Sequence, residues 1–143
     1  MNRNYILVGV CAVVAVAAYF IFQRSSVDEP AQSAVHANGA MVAVVVPAIE
    51  GNAAIGQRIF EAACSSCHGT NAAGMEGSGP PLVHVIYEPG HHGDESFQRA
   101  AAGGVRSHHW RFGDMPRVEG LTRGYVMMIV TYIRELQRAN GIN

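Results

Sequence analysis

The chain has 143 residues, 49% of them apolar, and its ten basic residues, all Arg, face eleven Asp and Glu for a formal net charge of −1. That balance excludes a nucleic-acid protein driven by a basic field, and the apolar content excludes a wholly disordered chain. Three cysteines cannot build a disulfide scaffold.

The first predicted element is residues 5–22, YILVGVCAVVAVAAYFIF, which hold no charge and no Pro. As a helix rising ~1.5 Å per residue it spans roughly 27 Å, about the hydrocarbon thickness of a bilayer. A cleaved signal peptide has a shorter apolar region, about 7–15 residues, with a small-residue cleavage site close behind it. Here the nearest such site ends at Ala37, so residues 1–24 read as an uncleaved signal anchor, a transmembrane helix. The block is apolar all round, unlike a surface helix of a soluble domain. Cys11 reads as a small apolar residue of that helix. Arg3 and Arg24 flank it, too small a bias to orient it unaided.

Residues 25–47 read as a linker. The stretch 23–40 is small and polar, and MVAVVVP (41–47) is too short to cross a membrane. It reads as a short extended segment lying on the surface of a domain over 48–143. That domain reads as all-α. Residues 51–64 place Ile55, Ile59, Phe60 and Ala63 at helical spacing. Residues 94–102 start on an Asp cap and stop at Gly103-Gly104. Residues 122–138 start at Thr122 and carry Val126, Ile129, Val130, Ile133 and Leu136 as an amphipathic stripe. Three short helices with long Gly-, Pro- and His-rich connections bury little, so the domain needs a further staple.

The staple is legible at residues 64–68, CSSCH. C-x-x-C-H is the attachment signature of c-type haem. Two thiols three residues apart, Cys64 and Cys67, each form a thioether, and the adjoining His68 offers an axial nitrogen to iron. A thioredoxin-like pair needs a βαβ context that is not visible, and a zinc site needs two further ligands at suitable spacing. For the second axial position the candidates are Met and His side chains. Met115, in the loop sequence GDMP stiffened by Pro116, is the best placed; a His/Met pair raises the haem potential and suits electron transfer. Met75 follows the attachment motif too closely, and Met127 and Met128 fall in the last helix. His84, His91, His92, His108 and His109 are the runners-up.

The order of these elements resembles the small class I cytochrome c family. The resemblance covers roughly 50–143 and rests on Gly56 and Phe60, then CSSCH, GPPL (79–82), GDMP (113–116) and a last helix with Tyr132. It implies three to four helices wrapped around one covalently bound haem c. It implies that the first and last helices cross where Gly56 admits Tyr132, with Phe60 beside it. It also implies that a Pro carbonyl, Pro80 or else Pro81, accepts the hydrogen bond of His68. The chain has no Lys, so docking through a lysine ring is not expected.

Two His pairs, His91-His92 and His108-His109, stand on separate connections. They read as exposed or propionate-bonding loop residues, or as a second metal site that suits copper. Trp110 and Arg111 are the expected propionate partners, through an indole N–H and a guanidinium. The expected function is a membrane-tethered electron carrier, not an enzyme, with its haem domain on the periplasmic side of a bacterial inner membrane. The resemblance implies redox partners such as a quinol–cytochrome c oxidoreductase, a terminal oxidase or a copper enzyme, with no nucleic acid. The alternatives are a haem subunit of a larger oxidoreductase, or a gas- or peroxide-binding haem with a labile distal ligand.

Overall fold

The computed structural model describes residues 39–143. The apolar block 5–22 and its expected membrane helix lie outside the described residues, as does most of the linker. Among the described residues no helix is long and apolar enough to cross a membrane.

The elements in chain order are α1 (Gly51–Ala63), the single turn α2 (Ser65–His68), 3-10 turns at Thr70–Ala72 and Val85–Tyr87, α3 (Asp94–Gly103) and α4 (Arg123–Ala139). Among the described residues there is no strand, only isolated bridges, which fits the all-α expectation. Helix α4 starts as its sequence dictates: the Tyr125 N–H donates to the Thr122 hydroxyl over 3.2 Å, satisfying one of the orphan donors of the first turn. Its stripe of Val126, Ile129, Val130, Ile133 and Leu136 is buried throughout. Helix α3 differs from expectation at its start. Gly93, not Asp94, holds the cap position, and the Asp94 carboxylate is taken instead by Arg134 Nε at 2.9 Å.

Helices α1 and α4 form the main helix–helix interface. A Cβ on Gly56 would overlap the Met128 carbonyl and crowd the Ile129 amide, so only glycine lets the two backbones meet there. The expected partner was Tyr132, and the structure corrects this by one turn. Tyr132 packs on Phe60 instead, ring centroids 5.7 Å apart and tilted by 57°, and its hydroxyl donates to Asn71 Oδ1 over 3.2 Å. Both rings are fully buried.

Residues 40–47 belong to the packed body rather than to the linker. The Met41 and Val42 amides both donate to the Ala73 carbonyl over 3.1 Å. Asn140 brackets Val45, accepting from its amide and donating to its carbonyl, each over 2.9 Å. Val44, 1% exposed, drops into the core. The extended segment is thus a strap that joins the start of the domain to the end of α4.

Candidate functional site

Cys64 closes α1, its amide donating to the Phe60 carbonyl over 2.8 Å, and α2 then turns His68 back under the helix. His68 is buried, and its Nδ1 lies 2.9 Å from the Pro80 carbonyl. A carbonyl accepts only, so Nδ1 carries the proton and Nε2 keeps its lone pair. Burial lowers the His68 pKa, against a smaller opposing pull from the Pro80 carbonyl, and this favours the neutral, ligating form. Pro80 is therefore the acceptor; Pro81 is buried behind it. Burial, with Cys67 adding to the effect, pushes the Cys64 thiol up to about 11. Cys67 is exposed.

His68 and Cys64 open into a cleft of about 510 Å³, within the usual range for a cofactor pocket. Phe60, Leu82, Ile129 and Ile133 form its buried apolar wall, and Arg99, Arg106, His108 and His109 line its exposed part. Met115 also lines it, the only methionine to do so among the described residues. Its position is set by the backbone: the Met115 and Val105 amides donate to each other's carbonyls over 2.9 Å. Gly104, at φ 74°, makes room for that pairing, since a Cβ there would stand 2.5 Å from the Met115 carbonyl oxygen.

Trp110 lines the same cleft, and its indole N–H is buried without an acceptor. Burial raises the pKa of Tyr87, and the indole near its hydroxyl offsets part of that rise, though no hydrogen bond of ordinary geometry joins the two. A buried donor without a partner is rare. A group with an apolar body and carboxylates at its wet end would supply the acceptor and cover the apolar wall. Haem c is such a group, and the residues present fit it.

Arg111, expected beside Trp110, is exposed and does not line the cleft; Arg99 and Arg106 do. His84 caps the turn Val85–Tyr87 by accepting the Ile86 amide over 3.2 Å and lies edge-on to Trp110. It is outside the cleft, as are Met75 and Met128. Gly56 and Tyr132 act on the cleft through the α1–α4 crossing only. Sequence reasoning missed Arg134, buried at the base of the loop that carries the first His pair. Its guanidinium donates to the Tyr87 carbonyl, the His92 carbonyl and Gln137 Oε1, each over 2.6 Å. Gln137 in turn donates to the Leu82 and Tyr87 carbonyls over 2.8 and 3.0 Å.

Fold and cleft together define a helical protein built around a thioether-bound haem. The family model described as cytochrome c matches residues 53–137, more than half of the chain. The chain belongs to the cytochrome c family; its cofactor is covalently bound haem c, and its general role is haem-based electron transfer. Neither a curated protein nor a solved structure matches the chain significantly.

Proposed function

We infer that this chain is a one-electron carrier whose iron is held between His68 and Met115. The observation that carries the reading is that Met115 lines the cleft into which the buried His68 opens. Haem c supplies an iron that alternates between the ferrous and ferric states. The chain's own residues keep the change small. The Pro80 carbonyl holds the His68 ring in one tautomer and orientation. The paired backbone of Val105 and Met115 holds the thioether on a rigid turn. The buried wall of Phe60, Leu82, Ile129 and Ile133 keeps water from the inner face. His68 and Met115 would together hold the iron and leave no position for a substrate, which favours a carrier over an enzyme. Residues 5–22 support a single membrane anchor in a bacterial inner membrane with the haem domain periplasmic. The anchor raises the local concentration of the domain near membrane-bound partners. By family resemblance those partners are a quinol–cytochrome c oxidoreductase, a terminal oxidase or a copper enzyme.

The second reading, a haem with a labile distal position, has one observation in its favour: His92, His108 and His109 line the same cleft. The far-red absorption of the oxidised protein separates the two. A weak charge-transfer band that disappears in Met115→Ala, with haem still attached, supports His/Met ligation. A native protein without the band, binding carbon monoxide rapidly when reduced at neutral pH, sinks the carrier reading.

A further inference from the structure

Four imidazoles converge where the connection before α3 meets the connection after it. The candidate ligand nitrogens of His91, His92 and His109 all lie within 4.8 Å of one another. The ring of His108 stands 4.2 Å from that of His109 and 6.2 Å from that of His92, centroid to centroid. These residues are contributed by two loops that are separately pinned. The His91 and His92 amides both donate to the Glu88 carbonyl, over 3.1 and 2.8 Å, and Arg134 grips the His92 carbonyl from α4. On the other side the Ser107 amide donates to Asp114 Oδ1 over 2.8 Å.

Ring orientation is set as well. His92 Nδ1 lies 2.6 Å from the Ile86 carbonyl, and His108 Nδ1 lies 2.8 Å from the Arg106 carbonyl. Each contact places the proton on Nδ1 and leaves Nε2 as a free donor atom. A metal-ligating His commonly has this outer hydrogen bond to a carbonyl. Bonds of ~2.0–2.1 Å in a tetrahedral site put ligand nitrogens about 3.3 Å apart. The rings of His91 and His109 are exposed and free to rotate that remaining distance.

We propose that His91, His92 and His109 form a second metal site at the cleft, for a late first-row divalent cation such as Zn(II) or Cu(II). Imidazole ligands without a carboxylate select such borderline ions over Mg(II) or Ca(II). The site is independent of Met115 and of the electron-carrier reading, and either can fail alone.

The test uses the full-length, haem-loaded protein in mild detergent. Zn(II), which has no redox chemistry with the haem, is titrated by calorimetry at neutral pH, and Cu(II) in a parallel arm. Bound metal is then counted by elemental analysis after desalting. The expected result is one metal per chain beyond iron. His91→Gln, outside the haem cleft, weakens binding about tenfold or more with an unchanged visible spectrum and urea midpoint, and His109→Gln weakens it as much. Both rings are exposed, so neither substitution empties the core. The proposal is overturned by a protein that takes up only iron, the result expected if these imidazoles serve the haem carboxylates instead. Metal binding that persists at full strength in both variants overturns it too.

Discussion

At Gly104 a single missing methyl group decides where a candidate ligand sits. The backbone is at φ 74°, a region that L side chains avoid, and a Cβ would press on the Met115 carbonyl. Gly104→Ala is therefore expected to displace the Met115 turn and lower stability by about 1–3 kcal/mol, as overpacking against backbone does. Haem stays attached, the far-red band weakens, and carbon monoxide binds the reduced protein faster. Gly103→Ala is the internal control, because a Cβ there meets nothing within 4 Å and the residue ends α3. It is expected to be neutral or to stabilise by about 0.5–1 kcal/mol. An unchanged band in Gly104→Ala would mean that Met115 is not held through this pairing. The motif around Met115 was legible in the sequence because it is local. The glycine pair read only as a helix stop, because its contact with Met115 exists only in space.

Among the elements, α4 was the most legible and also holds what was least legible. Its stripe follows the 3.6-residue period and Thr122 marks its start, so both could be read directly. The polar side chains on the same helix and at its C-cap follow no period. Arg134 reaches carbonyls 42 and 47 residues away, and Asn140 brackets a strap residue 95 away. Such pairings depend on loop paths that composition does not determine. The same holds at the cleft, where Arg99 and Arg106 take the place expected of Arg111. Arg134 is expected to matter far more than its ion pair. Its Nε–Asp94 contact involves a carboxylate that is 68% exposed, so Asp94→Asn should change stability by less than about 1 kcal/mol. Arg134→Ala leaves the Gln137 amide oxygen and the His92 carbonyl without their donor, takes one of two donors from the Tyr87 carbonyl, and removes a cation from over the Phe97 ring, 5.1 Å to its centroid. A loss of roughly 2–5 kcal/mol is expected, as for leaving two buried acceptors without a donor. Urea midpoints of the two variants, measured side by side, check the contrast. Similar midpoints would assign the stability to the ion pair instead.

For the whole molecule, stability depends on pH and on the cofactor. The folded-state pKa of His109 lies below its ordinary value, and buried His68, shifted the same way before its Nε2 would be taken by the iron, likewise stays neutral in the folded protein. Between the folded and unfolded values the unfolded chain binds more protons, so stability rises with pH through that window. It is expected to be complete above the ordinary imidazole pKa of ~6.5 and to fall on acidification toward the lowered folded values. Thermal midpoints from pH 8 down to pH 5 test this; a midpoint independent of pH would contradict it. The cofactor acts on the core itself. Phe60, Leu82, Ile129 and Ile133 line both the cleft and the cluster that joins α1 to α4. In the haem-free chain an apolar cleft of about 510 Å³ leaves these side chains without contacts on one side, a loss comparable with the ~5–15 kcal/mol that a domain of this size has in total. The chain carrying Cys64→Ala with Cys67→Ala and prepared without haem is therefore expected to keep some helical far-UV dichroism but to show no cooperative urea transition. A sharp transition in that chain would mean that the walls close on each other and that the domain needs no cofactor to fold.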